Sequence, residues 1–579
     1  MEKVVKGIVA SNGIAIGKAY LVSDTSKVNT RIISANEIPE QIKKLKMAII
    51  LSTNQLEQIE IASKNRIAAN ELKIIESIKE LLNDITFIDK IINFIKKDKI
   101  TADNAVNKAV EDYSNLFLAM EDEYLQQKSS DIKDVGMRII DKLSGEDSKG
   151  INELTEASII IAHDLFPSDT IQMDKSKVLG FATDLGGKTS HTAIIATALE
   201  IPAIVATNKV TQILKSGDMV IIDGEEGNVL VNPDVNTLEI YQKKSEENKK
   251  HKETLSKFKS LLATTTDGYS VKLFANIGSI EDSNIACENC ADGIGLLRTE
   301  FLYIGKDRLP TEEEQFKAYK VIAEKMDGKP LIIRTLDIGG DKNVPYLKVV
   351  KEANPFLGVR GIRLCFENIE VFKDQIRAIL RAGSFGNVKM MFPMVTTLNE
   401  VRRAKDIVNE VKNELNDKKI LFDSDIEIGI MVEVPTVALS ADLFIKEVDF
   451  FSIGSNDLTQ YTMATDRMNE KLVDLYSPYN LSIFRLIKKI VDASHKSGKW
   501  TGICGQIAAE PYFITILLGL GVDEFSVPPS LLNETKSIIR SMSVKKAQEI
   551  TEEVMGMDTV TDIYSYLKEA YKENFSKIK

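Results

Sequence analysis

Gly186-Gly187-Lys188-Thr189-Ser190-His191-Thr192, followed by the apolar run Ala193 to Glu200 and the stop Ile201-Pro202, is the stretch from which the chain is read. Two glycines make a tight loop, the hydroxyl residues offer caps, and His191 falls on the opening turn of a helix. The apolar segment 178–183 leads in as a strand and 203–206 leads out as another, so the unit reads strand, loop, helix, strand. A helix N-terminus presents free N–H groups and partial positive charge, which favours a phosphate. An imidazole there can accept a phosphoryl group. The chain has four histidines, and only His191 has this setting.

Towards the N-terminus, residues 4–22 alternate small, apolar and glycine residues and read as one or two short strands turning at Asn12-Gly13. The period then changes. Ile38, Ile42, Leu45, Ile49, Leu56 and Ile59 mark a long amphipathic helix, and the pattern recurs to Ile139, so about 30 to 145 reads as a helical bundle. Strand signals return at 157–162 and at 219–224. The early and late strands make one domain interrupted by the bundle, and 235–258, rich in Lys and Glu, reads as a charged helical linker.

From 270 onward strand and helix alternate eight times, with strands at 271–277, 293–297, 331–335, 388–392, 427–432, 450–453, 501–504 and 524–527. Eight parallel-type strands of this kind predict a (β/α)8 TIM barrel with its active residues at the strand C-termini. Arg298, Arg334, Glu433, Asn456, Asp457 and Cys504 all fall at such ends, with Arg467 shortly after. Two arginines at neighbouring ends suit a phosphate, because each guanidinium is a planar fork of donors. Glu433 and Asp457 suffice for Mg²⁺ when substrate and water fill the other positions. Asn456 can donate to a carboxylate or phosphate, and the Cys504 thiol, protonated at neutral pH, can act as an acid.

These motifs carry a resemblance. Gly186 to Ala196 resembles the phosphohistidine loop of phosphoenolpyruvate-utilising enzymes, and Gly7 to about Ala570 resembles the Enzyme I family of the bacterial sugar phosphotransferase system. The resemblance implies phosphorylation of His191 by phosphoenolpyruvate and onward transfer to a histidine of the carrier protein HPr. It implies that Arg298, Arg334, Arg360, Asn456, Asp457 and Arg467 bind substrate, that Glu433 and Asp457 hold Mg²⁺, and that Cys504 donates the proton. Gly187, Thr189 and Ser190 belong to the matching loop, and Thr170 matches a hydroxyl residue that orients the histidine. The implied architecture is a swivelling phosphohistidine α/β domain (1–22 and 146–232) with an inserted helical HPr-binding domain (23–145). A helical linker (233–262) and a barrel that binds phosphoenolpyruvate and pairs two copies as a homodimer (263–579) follow. The chain departs from the family at Gln506, where glutamate is usual, at Met468 for glycine and at Lys188 for arginine. In the bundle, Ile75-Glu76-Ser77-Ile78-Lys79 replaces Phe-Glu-Ala-His-Leu.

Composition excludes other classes. The net charge of −11 and the lack of a basic stripe argue against nucleic acid. Neither an N-terminal h-region nor a run of about 18 apolar residues occurs, so a cytoplasmic protein without membrane insertion is expected. Four cysteines give no disulfide framework, and Cys287-x-x-Cys290 reads as structural. Two alternatives remain. A relative of pyruvate phosphate dikinase or phosphoenolpyruvate synthase would need an ATP domain ahead of His191, where the chain has amphipathic helices instead. A non-catalytic carrier-binding scaffold would have no use for the full set of strand-end residues.

Overall fold

The computed structural model describes residues 3–22, 31–63, 69–118, 123–145, 151, 154–166, 169, 176–187, 193, 196, 201–304, 306, 308–339, 344, 346–347, 352–472 and 475–575. The chain forms two compact units, Met1–Lys250 and His251–Lys579.

The first unit contains one eight-stranded sheet. Residues 4–22 supply three strands rather than one or two: β1 (Lys3–Lys6), β2 (Ile8–Ser11) and β3 (Ile14–Leu21). The turn at Asn12-Gly13 separates the last two, with Gly13 at φ +122°, where a side chain would be strained. β4 (Ser158–Ala162), β5 (Val178–Thr183), β6 (Ala203–Val205), β7 (Met219–Asp223) and β8 (Asn228–Val231) complete it, in the order β1-β8-β7-β3-β4-β5-β6-β2. β3, β4, β5 and β6 run parallel, and their inner members are buried on both faces, as the uninterrupted Ile159-Ile160-Ile161 requires. Ile159 and Ile161 face one apolar cluster and Ile160 the opposite one.

Between β3 and β4 lie the helices α1 (Ile38–Ser63), α2 (Ala69–Leu82), α3 (Ile85–Lys97), α4 (Ala102–Leu118) and α5 (Glu123–Ser144). Their apolar stripes meet in a separate core that includes Leu45, Leu56, Ile78, Ile91, Val106 and Ile139, all fully buried. The spacing of three and four that marks these residues in the sequence places them on one helix face each. The charged helix α6 (Val235–Ser256) follows the sheet. Its first turns are bound to the same unit, with Tyr241 donating to Asp223 at 2.8 Å and Lys244 2.9 Å from Glu225.

The second unit is a closed eight-stranded parallel barrel: β9 (Lys272–Ile277), β10 (Ile294–Arg298), β11 (Leu331–Arg334), β12 (Val388–Phe392), β13 (Glu427–Val432), β14 (Phe450–Gly454), β15 (Trp500–Cys504) and β16 (Glu524–Val527), with β16 pairing back on β9. Strand alternation divides its core. Outward residues such as Ile333, Ile430, Ile453, Ile503 and Phe525 pack against the helices, whereas Phe274, Leu296, Ile332, Met391, Met431, Phe450 and Cys504 fill the lumen. The four cysteines are free. No helix among the described residues is long and apolar enough to cross a membrane.

Candidate active site at the barrel strand ends

The inward, C-terminal residues of neighbouring strands converge. Arg334 ends β11, is buried, and pairs with Glu300 through Nη2 and with Asp337 through Nη1 at 3.0 Å. Arg360 embraces the same Asp337 with two parallel bonds, Nε to Oδ1 at 2.9 Å and Nη2 to Oδ2 at 3.0 Å. Its remaining Nη1 donates to Asp457 Oδ1 at 2.8 Å, and Arg467 approaches the other oxygen of Asp457 at 3.4 Å. Burial opposes the charge on Arg334 and Arg360, but the adjacent carboxylates overcome it and both are held firmly protonated. Arg334 Nε has no partner among the described residues, so a donor stands ready for an anion.

Glu433 lies just past β13, fully buried, and accepts from the Met394 backbone through Oε1 at 2.6 Å. Its Oε2 has no partner among the described residues. Burial, then the charges of Asp457 and Asp337, push its carboxyl well above the usual range against the pull of Arg360 and Arg334. An orphaned carboxylate oxygen beside a second carboxylate is what a hard divalent cation would satisfy. Among the described residues no group of three or more metal-ligating side chains occurs, so such an ion would draw on these two and on its substrate.

Gly454 stands between Glu433 and Cys504: a Cβ there would come 2.8 Å from Glu433 Oε2, and the residue pairs in register with Cys504. Glycine therefore keeps open the space that the acid and the thiol share. Cys504 is buried, donates towards Ile453 O at 3.5 Å, and receives the Ser452 hydroxyl at 3.6 Å. Burial pushes its thiol up to about 11, so it is protonated at neutral pH despite the Ser452 bond and nearby Arg334. Asn456 accepts from the Gln506 backbone at 3.1 Å, so the residue that departs from glutamate contributes its main chain here. Gly505, at φ +113°, makes the turn that permits this contact. Arg298 is exposed at the end of β10, in register with Arg334.

Motif reading gave no role to Asp337 and Glu300, the two carboxylates that organise the arginines. Both lie inside the strand-end motifs, two residues after Arg298 and three after Arg334, so a search for counter-charges to a buried arginine would have found them.

In the first unit, His191, Thr170, Thr189 and Ser190 lie outside the described residues. The root of the loop is described. Gly186 adopts φ +104°, and a Cβ on Gly187 would meet nothing within 4 Å, so the demand for glycine falls on the first of the pair. Asp184, buried just before it, accepts from Thr211, Thr207 and His163. Burial opposes its charge, but these bonds prevail and hold the carboxyl below its ordinary value. Asp184 and His163 also went unassigned in the sequence, because their partners come from other strand ends.

Three family models cover the chain: the N-terminal domain of PEP-utilising enzymes over residues 6–128, the mobile domain over 154–227 and the PEP-binding domain over 252–544. The chain is 43% identical to a phosphoenolpyruvate-protein phosphotransferase of Geobacillus stearothermophilus over 98% of both chains. It is 42% identical to one of Priestia megaterium over 99% of this chain and all of the other. It is 43% identical to one of Listeria monocytogenes over 97% of this chain and 98% of that one. With the barrel, its strand-end arginines and carboxylates, and full-length identity of this order, the chain belongs to the phosphoenolpyruvate-protein phosphotransferases of the PEP-utilising enzyme family.

Proposed function

We propose that this protein takes the phosphoryl group of phosphoenolpyruvate onto His191, releases pyruvate, and passes the group to a histidine of the carrier protein HPr, the first step of a sugar phosphotransferase relay. The observation that carries the reading is the convergence of Arg334 and Arg360 with Glu433 and Asp457 at the strand ends, beside the buried thiol of Cys504. The substrate bears a phosphate and a carboxylate, and arginine forks match both. Arg298, Arg334, Arg360 and Arg467 hold these groups, with Asn456 and the Asp457 backbone completing the contacts.

Glu433 and Asp457 are the groups that would hold Mg²⁺. When bound, the ion supplies Lewis-acid neutralisation of the phosphoryl oxygens and of the enolate that leaves. His191 attacks phosphorus in line, and the arginines offset charge on the phosphoryl oxygens as the P–O bond breaks. The leaving group is the enolate of pyruvate. Cys504 gives its proton to carbon three, which a protonated, buried thiol is suited to do.

Residues 1–22 and 146–232 form the swivelling domain that carries His191, supported by Thr170, Gly187, Thr189 and Ser190. The bundle at 23–145 receives HPr, 233–262 links the parts, and 263–579 binds substrate and pairs with a second copy. The protein works in the cytoplasm. The test is labelling from phosphoenolpyruvate bearing a labelled phosphoryl group, with and without Mg²⁺ and HPr. Acid-labile, base-stable label on His191 that chases onto HPr is the expected result. A protein that binds HPr yet never acquires label is a scaffold, and the proposal fails.

A further inference from the structure

The barrel lumen beneath Cys504 holds an acid that this transfer does not use. Glu524 opens β16 and is 1% exposed, and neither of its carboxyl oxygens has a hydrogen-bond partner among the described residues. Register fixes its place. Glu524 lies opposite Gly502 and Ser526 opposite Cys504, and alternation turns all four to the inward face. A Cβ on Gly502 would stand 2.0 Å from Glu524 Oε2, and one on Gly295 of β10 would stand 2.5 Å from Oε1 and 2.4 Å from Ser526 Oγ. The carboxyl thus lies across Gly502, one layer below the thiol, beside the Ser526 hydroxyl, which bonds Asn276 at 2.5 Å.

Bulky branched apolar side chains ordinarily fill the layers of a barrel interior. Here two strands give up their side chains to admit a carboxyl that no neighbour satisfies. A buried carboxyl left without a hydrogen-bond partner is costly, and the cost calls for a function. Burial, with some help from Asp523, pushes the Glu524 carboxyl well above its ordinary value, so it enters the cycle with its proton on. Around it stand Cys504 and Ser526 on the inward face and Asp523 on the outward one. Lys272 pairs with it from β9 but is exposed, and Arg334 and Glu433 act on the thiol from above.

We propose that Glu524 is the internal acid that returns a proton to Cys504 after each turnover. It acts through Cys504 and does not touch the substrate, and the proposal rests on the reading of Cys504 as proton donor. In the first step the S–H bond breaks as the C3–H bond of pyruvate forms, leaving a thiolate. In the second, the O–H bond of Glu524 breaks and the S–H bond of Cys504 is restored. The Glu524 carboxylate then recovers a proton from solvent, and the cycle balances.

The test uses the full-length protein with phosphoenolpyruvate, Mg²⁺ and HPr. Glu524→Gln keeps the shape but has no acidic proton. Its first turnover of pyruvate, which uses the thiol already protonated, is expected within about twofold of wild type. Its steady-state kcat is expected to fall on the order of tenfold to a hundredfold. KM should hold, the solvent deuterium isotope effect should rise, and Glu524→Asp should recover most of the rate. An unchanged kcat and isotope effect in Glu524→Gln overturns the proposal. So does an equal slowing of first and later turnovers, which marks a structural role. Cys504→Ala, run in parallel, separates the two readings: wild-type turnover there removes Cys504 as donor. A slow first turnover in that variant beside a wild-type Glu524→Gln removes only the relay.

Discussion

The two units hold their buried charges in different ways. In the barrel, charges from strand ends and from the segments that follow them hold each other: Arg334 and Arg360 share Asp337, and Arg360 spans to Asp457 across 97 positions of sequence. In the first unit, the buried Asp184 at the end of β5 is held by neutral donors instead, from Thr207, Thr211 and His163, two residues before the left-handed turn at Gly186. A site that neutralises charge in a transition state gains from preorganisation. A buried carboxylate held by neutral donors fixes the backbone around it without a counter-charge. The contrast teaches that donor and acceptor functions should separate cleanly by mutation.

The strongest test of that contrast is His191→Ala. Labelling from both phosphoenolpyruvate and phosphorylated HPr is expected to vanish, read by base-quenched gel counting, because the proposed function gives one histidine to both partners. Next is a fragment ending near Lys250, where the two compact units divide. It should exchange label with phosphorylated HPr and take none from phosphoenolpyruvate, since the barrel arginines, Glu433 and Asp457 are all gone. Label from phosphoenolpyruvate on that fragment would show that the donor site was assigned to the wrong unit.

Single changes at the barrel rim sharpen the division. Glu433→Ala or Asp457→Ala should slow transfer from phosphoenolpyruvate on the order of 10²–10³-fold, the size found for one preorganised electrostatic group. Exchange between His191 and HPr should stay at the wild-type rate in the same preparations. Cys504→Ala should slow pyruvate formation about 10²-fold, with tight substrate binding retained, since the proposed role of the thiol is on carbon three and not on phosphorus. Stopped-flow detection of pyruvate reads this directly.

The smallest effect is thermodynamic. Glu524 carries a folded-state pKa raised well above the ordinary 4.5, so its contribution to stability is complete below 4.5 and is lost as pH rises. The loss is up to about 1.4 kcal/mol per pH unit until the folded value is reached. Gln has no such slope. Glu524→Gln should therefore gain in denaturant midpoint over wild type as pH goes from 5 to 8, and the two should converge near pH 4. A constant offset across that range would mean that the carboxyl is satisfied or ionised in the folded protein.

Much of the molecule was legible in the chain. Apolar spacing of three and four gave the bundle, and eight short strand-like runs separated by helical stretches gave the barrel, with boundaries shifted by about one residue. One such shift matters, because β10 extends to Arg298 and brings that side chain into register with Arg334. The short strands before residue 22 were harder. β1 and β2 pair antiparallel with β8 and β6, more than 190 positions away, and no local period announces such partners.

By itself the sequence determined the helical bundle, the eight barrel strands and the placing of candidate residues such as Arg334 and Cys504 at their ends, because periodicity and turn residues are local properties. Only the tertiary structure decided which charges are compensated. Asp337 and Glu300 are ordinary acids in the chain and become the organisers of the arginines only when β10, β11 and the segment bearing Arg360 are brought together. Glu524 opens the last of the eight strand runs in the sequence, with nothing local to mark it out. Closure of β16 onto β9 and β15, beside two glycines from other strands, makes it a carboxyl without a hydrogen-bond partner among the described residues. Burial and the pairing of charge depend on what lies across the chain, so they are settled only when the barrel closes.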